Sequence, residues 1–586
     1  VTATRVWAPR PSAVALLADG VRHPMTAVGD GWWEGPALDP GARYGFLLDD
    51  DPTPRPDPRG RSLPDGVHGL SEKLEPTRPD LGAWEGRELA DGIVYELHVG
   101  TFTSSADGGP GTLDTAIERL DHLADLGVGF VELLPVNGFE GRYNWGYDGV
   151  AWYAVDAAYG GPDAYHRFVA AAHARGLGVI QDVVYNHLGP SGNYLPLFGP
   201  YLREGQANTW GDSVNLDERA VRDYLLDNAA MWFAEYGVDG LRLDAVHALL
   251  DHAEPHVLAE LSAQTDRQMV ELGRPLTLIA ESDENDPRTI TAREAGGRGL
   301  HAQWSDDYHH AVHVALTGET DGYYADFAPL SALGEAATNG FFHAGTFSTF
   351  RGRVHGAPLP PEVEAWRLVT FSQDHDQIGN RATGDRLTAT LAAGTAGSDD
   401  AERRLAIAAV LTVLSPGTPM LFMGEEWAAS TPWQFFTAHE DEALGRATAE
   451  GRIAEFERMG WDPEAVPDPQ DPATFERSRL DWAELAEPDH ARMLERYRAL
   501  IALRRREPEL HSPRLADLTG EWDEAARTMT LDRGAVAIRL NLGDAPWRIE
   551  ASEELLFATS DDVEVAAEHL LLPPVSALVT RRVAGY

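Results

Sequence analysis

Short apolar runs, separated by stretches of helical periodicity, fill the middle of the chain. Ile93 to Val99, Phe130 to Leu134 and Gly178 to Val184 are strand-like. Between the first two, Leu113, Ile117, Leu120 and Leu123 recur at helical spacing, and Pro162 to Arg175 reads as the next helix. Val221, Leu225, Ala229 and Trp232 mark a long helix before a fourth strand at Leu241. A helix over 256–272 precedes a fifth strand at Leu276, and Pro419 to Met423 reads as the eighth. Apolar runs this short, with helices between them, predict buried parallel strands. Alternation sustained over about 400 residues predicts an α/β fold, a closed (β/α)8 barrel of the TIM type.

The pattern changes at both ends. Val6-Trp7-Ala8-Pro9, Val14 to Leu17 and Arg43 to Leu48 are short runs with turn signals between them, which predict an N-terminal β-sandwich over 1–90. Within it, Asp49 to Gly60 carries four prolines and reads as a stiff, extended connector. The barrel is expected over 91–510. Its charged, Pro-containing insert at 424–485 should cover the top. Thr528 to Leu531, Ala535 to Leu540 and Ser576 to Thr580 predict a C-terminal β-sandwich over 511–586.

Several barrel strands end in a carboxylate. Leu241-Arg242-Leu243 leads to Asp244, Leu276 to Ala280 leads to Glu281, Val179 to Val184 contains Asp182 and leads to Tyr185-Asn186-His187, and Leu368 to Phe371 leads to Asp374-His375-Asp376. The C-terminal strand ends of such a barrel share one face, where the active site lies. Spacing agrees: Asp244 and Glu281 are 37 residues apart, about one strand–helix unit. Glycoside hydrolysis needs two carboxyl groups flanking the scissile bond, roughly 5 to 5.5 Å apart if the configuration is retained. Arg242 lies two residues before Asp244, on the same side of the strand, and would hold it ionised as a nucleophile requires. Glu281 follows an apolar run. Partial burial would raise its pKa and keep a proton available for the leaving oxygen. Asp376 and His375 would bind sugar hydroxyls and steady the cationic transition state. A single such carboxylate is more simply a helix cap or an ion-pair partner; four coincident strand ends argue for a site.

Composition narrows the partners. Against 48 Lys+Arg stand 93 Asp+Glu, a net charge of -45, which would repel nucleic acid and anionic membrane. The absence of Cys excludes disulfides, thiolate metal sites and thiol catalysis. Neither a signal-like start nor an 18-residue apolar run is present, so a cytoplasmic location is expected, and a monomer. No cofactor or metal is expected. His309 and His313 have the i, i+4 spacing of a metal pair, but with no third ligand in view they read as exposed helix surface.

Four segments, Asp182 to His187, Gly240 to Asp244, Ala280-Glu281 and His375-Asp376, resemble in order the four short motifs of the α-amylase family of glycoside hydrolases. The resemblance implies Asp244 as nucleophile, Glu281 as general acid/base and Asp376 as transition-state stabiliser. It also implies Arg242, His187 and His375 around the sugar next to the cleaved bond, with Tyr147 of Asn144-Trp145-Gly146-Tyr147-Asp148 as its stacking platform and Asp148 beside it. Asp374 departs from the family pattern, where Asn is frequent, and is expected to matter little. Trp304 to His310, Phe350 to Arg353, Gln377 to Arg381, Met423 to Trp427 and Pro467 to Phe475 are similar to the trehalose-releasing members. That similarity implies hydrolysis of the α-1,4 bond next to a terminal trehalose unit, with maltooligosyl trehalose and maltooligosaccharides as the bound sugars. Trp210, Tyr323, Phe350 and Arg351 are weaker candidates for shaping the pocket around that unit. Two alternatives are a glucan-branching transglycosylase with the same carboxylates, and a non-catalytic glucan-binding protein.

Overall fold

The computed structural model describes the chain except residues 1–2, 76–78, 80, 91, 209–210, 395–396, 459–462, 512, 550–552, 567–568 and 583–586. Eight parallel strands close into a barrel: β1 (Val94–Leu97), β2 (Phe130–Leu133), β3 (Gly178–Val183), β4 (Gly240–Leu243), β5 (Thr277–Ala280), β6 (Ala302–Trp304), β7 (Leu368–Thr370) and β8 (Thr418–Phe422). Every residue of these strands is buried, as strands covered on both faces must be. The sixth strand is the one the apolar pattern does not announce. Three residues, Ala302-Gln303-Trp304, are too few to show a period.

The pleat sorts the barrel interior into layers. Val94, Phe130, Ile180, Ile279, Val369 and Met420 pack together as an apolar plug. Two residues further along β1 to β4 stand Glu96, Glu132, Asp182 and Arg242, on the same side of each strand. The register sets Glu96 beside Glu132 and Asp182 beside Arg242. A charged layer therefore rests on an apolar one, and the next step along β4 and β5 is Asp244 and Glu281.

Two antiparallel sheets precede the barrel, one ordered 4–7, 32–35, 26–29 and the other 21–24, 14–18, 43–48, 71–72. The Pro-rich stretch is pinned down rather than a free spacer. Phe46 and Arg55 exchange backbone hydrogen bonds, the Tyr44 hydroxyl donates to Asp57 at 2.7 Å, and the Tyr224 hydroxyl donates to the Pro58 carbonyl at 2.7 Å. It straps the N-terminal sheets to the barrel helix Arg219–Met231. After the barrel, the helix Pro488–Arg506 sends the Arg504 guanidinium to the carbonyls of Val413, Ser415 and Gly417. A five-stranded and a three-stranded antiparallel sheet then complete the chain.

Candidate active site

Arg242 is the centre of the charged layer. It is fully buried, and its Nη1 donates to Asp244 Oδ1 at 2.8 Å and to both oxygens of Asp182 at 3.0 and 3.1 Å. Its Nη2 lies 3.8 Å from Glu281 Oε2. One planar guanidinium thus faces three carboxyl groups, a geometry lysine could not supply. The indole of Trp304, at the end of β6, lies 4.4 Å from the guanidinium carbon. Replacing Arg242 by Met leaves Asp182 and Asp244 uncompensated. The expected loss of stability is about 3–5 kcal/mol, read by urea unfolding. Burial already raises the pKa of Asp182 to about 7, and loss of the arginine raises it further. The folded variant then holds a proton that the unfolded chain releases, so its deficit grows as pH rises from 6 to 8.

Asp244 and Glu281 meet the arginine from adjacent strands. The Asp244 amide donates to Val183 O, and the Glu281 amide to Leu243 O. Asn186 Nδ2 donates to Asp244 Oδ2 at 2.7 Å. Ala245, just after Asp244, holds a left-handed φ of 38°, unusual for a residue with a Cβ. That turn aims its amide at Glu281 Oε2, 2.5 Å away. Glu281 has its pKa raised, by burial first; Arg242 opposes this, while Asp244 and Asp376 add to it. The pair therefore combines an arginine-bound carboxylate with a carboxyl group biased toward its protonated form.

Asp376 arrives from the helix His375–Gly379, which follows β7. It is half-buried, accepts from Asn380 Nδ2 at 3.1 Å, and lies 3.7 Å from His375 Nε2. Both the backbone amide and Nδ1 of His375 donate to Glu96, at 3.0 and 2.5 Å. Burial opposes the imidazolium, yet Glu96 and Asp376 raise its pKa to about 10, so it carries charge at neutral pH. Asp374 caps this helix by accepting from the Gln377 amide at 2.6 Å. Burial first, then the neighbouring Glu96, raise its pKa, while His375 opposes the shift; as the helix cap it stands where the family pattern has Asn.

Tyr147 stacks on His375, ring centroids 5.1 Å apart and planes at 14°, and its hydroxyl donates to Asp182 Oδ2 at 2.6 Å. Gly146 makes that position possible. Its φ is +108°, and a Cβ would lie 2.2 Å from the Pro135 carbonyl oxygen. Asn144 Nδ2 donates to Asp148 at 2.8 Å, and His187 Nε2 to the Tyr147 carbonyl at 2.9 Å.

A cleft of about 470 Å³ brings together Tyr147, Asp148, His187, Asp244, His375 and Asp376. The insert after β8 adds Phe435 and Arg452 to its wall, and Arg452 donates to the Gly379 carbonyl at 2.6 Å. Arg351 stands apart from the cleft lining, paired with Asp283 at 2.5 Å. Phe350 is exposed beside it, edge-on to Tyr323 at 6.0 Å. Tyr323 stacks on His310 at 4.8 Å. Trp210 lies outside the described residues. His309 and His313 are buried, which corrects the expectation of helix surface: His313 Nε2 meets Glu319 at 2.8 Å and His309 Nδ1 meets His310 at 3.0 Å. Their helix is covered on the histidine side by the 322–327 turn, which a periodicity of one helix alone cannot reveal.

Sequence reasoning passed over Glu96, Glu132 and Asp306. The first two had a signal, a charge inside a buried run. Burial, then Glu96 and Asp182, raise the pKa of Glu132 well above the carboxylate range. Asp306 lies two residues past β6 and is half-buried. Its pKa is raised well above the usual range by burial and by Glu281, Asp374, Asp283 and Asp376 around it. Among the described residues its side chain makes no hydrogen bond. Phe435 and Arg452 had no signal.

Residues 97–196 match the alpha-amylase catalytic-domain family, and 513–579 match a domain family of unknown function, DUF3459. The chain is 56% identical to the malto-oligosyltrehalose trehalohydrolase of Rhizobium sp. (strain M-11), over 98% of this chain and 97% of that protein. It is 51% identical to the Mycobacterium tuberculosis protein of the same name, over 94% and 95%. A glucan branching enzyme of Corynebacterium jeikeium is 27% identical over 77% of this chain and 64% of its own length. Among solved structures, a candidate alpha amylase from Salmonella typhimurium superposes with a TM-score of 0.88 at 35% identity, covering 99% of this chain and 97% of that one.

Proposed function

The chain belongs to the malto-oligosyltrehalose trehalohydrolases, glycoside hydrolases of the α-amylase family, and from that premise we propose the reaction, with its residues in named roles. It hydrolyses the α-1,4-glucosidic bond next to the terminal trehalose unit of maltooligosyl trehalose, releasing trehalose and a maltooligosaccharide. The observation that carries this reading is identity above half over essentially the full length of proteins bearing that name, twice the identity to the branching enzyme.

In the mechanism, the Asp244 carboxylate attacks the anomeric carbon while Glu281 protonates the departing oxygen of the trehalose unit. The resulting β-linked glycosyl ester on Asp244 is then attacked by a water whose proton returns to Glu281, so configuration is retained. Asp376 and cationic His375 bind hydroxyls of the sugar at the cleaved bond, Tyr147 stacks beneath it, and Arg242 Nη1 holds Asp244 in place by a hydrogen bond of 2.8 Å. His187 and Asp148 line the same sugar's cleft. Support for these roles is the sharing of one guanidinium by Asp244 and Glu281, and the raised pKa of Glu281. The test is product analysis: incubation with maltooligosyl trehalose yields free trehalose, and with a plain maltooligosaccharide yields little product. Branched glucan without trehalose would establish the transglycosylase instead.

The leaving trehalose must lie on the Glu281 side of the bond, and Asp306 is close enough to Glu281 for that carboxyl to raise its pKa. Among the described residues the Asp306 side chain makes no hydrogen bond, so its carboxyl group is available to a sugar hydroxyl. Asp306→Ala is expected to raise KM for maltooligosyl trehalose about tenfold while leaving the slow cleavage of plain maltooligosaccharide unchanged. Asp306→Asn should stay within a few-fold of the parent. Equal losses on both substrates would make Asp306 merely structural.

A further inference from the structure

Away from the catalytic cleft, a recess of about 650 Å³ opens between the helices Arg219–Met231 and Val257–Leu272 and the loop that follows β5. Its lining is unusual for a chain of net charge -45: five arginines, 219, 267, 288, 293 and 298, against the two glutamates 254 and 260. Three of the five are neutralised by the chain. Arg219 pairs with Glu260 and Asp223, Arg288 with Asp286 at 2.7 Å, and Arg293 with Asp266. Glu260 is itself held by Arg219 and Arg222, so it offers no free charge to a ligand.

Arg267 and Arg298 remain. Among the described residues neither guanidinium makes an ion pair or a hydrogen bond, and Arg298 is half-buried in the recess wall. His256 adds a further donor. Its Nδ1 accepts from the Leu258 amide at 3.2 Å, and burial together with Arg298 lowers its pKa to about 4. A neutral ring with Nδ1 accepting must carry its proton on Nε2. Of the described residues lining the recess, only Glu254, which is exposed, presents an unpaired carboxylate. The sugars of the proposed reaction are uncharged and have no use for two guanidiniums without an ion-pair or hydrogen-bond partner.

We propose that this recess binds a small phosphorylated solute, its phosphate held by Arg267 and Arg298 with the His256 Nε2–H as third donor. Arginine forks match phosphate oxygens in geometry and charge. A polyanion such as nucleic acid is disfavoured by the chain's net charge of -45.

Isothermal titration of the full chain with inorganic phosphate, pyrophosphate and glucose 6-phosphate, at ionic strength fixed with sodium chloride, tests this. Saturable binding is expected, and the double variant Arg267→Gln/Arg298→Gln should weaken it by about tenfold or more. Preference for glucose 6-phosphate over phosphate would identify a sugar phosphate, and equal affinity would identify free phosphate as sufficient. Because a weakened double variant could also be misfolded, Glu254→Gln provides the opposite sign: removing the rim carboxylate should tighten binding. Hydrolysis of maltooligosyl trehalose by either variant without added phosphate should be unchanged. No saturable binding of any of the three anions at millimolar concentration, or equal binding by the double variant, overturns the proposal.

Discussion

Asp244→Asn is expected to lower kcat on maltooligosyl trehalose by roughly 10⁴-fold or more while moving KM only a few-fold. Asn keeps the shape of the side chain but is a poor nucleophile toward the anomeric carbon, so no competent glycosyl ester forms. It also removes the negative charge that Arg242 Nη1 meets at 2.8 Å, and it sets an amide against Asn186 Nδ2, which donates to Asp244 Oδ2 in the parent. The proposed sugar contacts through Tyr147, His187 and His375 are untouched, which is why KM should hold. A second measurement separates the nucleophile from a mere charge partner. With Asp244→Ala and added azide, the small anion can occupy the vacated space and attack the same carbon, giving a β-glycosyl azide visible by NMR. A kcat within tenfold of the parent would sink the assignment.

Much of the barrel was legible because its signals are local. Val179 to Val184, Leu241 to Leu243 and Leu276 to Ala280 are apolar enough to be read as strands without a partner, and the helices between them carry their own period. Asp244 and Glu281 follow from the same reading, since the position after a strand end is a property of the chain order. Three things were not local. The sixth strand is three residues long and is recognised only by its neighbours, Ile279 and Ala280 on one side and Leu368 and Val369 on the other. Arg452 meets Gly379 across 73 positions, through an insert with no repeat to announce which face it turns inward. The histidines at 309, 310 and 313 look amphipathic in isolation and are buried only because a separate turn closes over them. Glu96 and Glu132 could have been found. A carboxylate within a buried strand costs several kcal/mol unless paired or neutral, and that cost is itself a signal of a polar layer.

Glu281→Gln should bind substrate as the parent does and lose about 10²–10⁴ in kcat. Glutamine still accepts from the Ala245 amide, so the turn after Asp244 survives. What it lacks is the proton for the leaving oxygen and, in the second step, a base for water. In the parent, activity depends on the protonated form of a group whose pKa is raised by burial. The rate therefore falls as pH rises through that raised value, and the alkaline limb reports Glu281. In the Gln variant that limb should vanish, leaving a flat, low profile. The loss should also depend on the leaving group. An α-maltotriosyl fluoride departs without protonation, so Glu281→Gln should form its glycosyl ester nearly as fast as the parent and then stall at hydrolysis, giving a burst of fluoride. If the fluoride and maltooligosyl trehalose were slowed equally in that first step, Glu281 would be a binding group, and the proton would have to come from another acid at the mouth. Asp306 is the nearest candidate by environment, because burial and the same ring of carboxylates raise its pKa. Among the described residues it forms no ion pair with Arg242, whereas Glu281 Oε2 lies 3.8 Å from the guanidinium that holds Asp244. A general acid must reach the bond that Asp244 attacks, and sharing Arg242 is the feature that puts Glu281 within that reach.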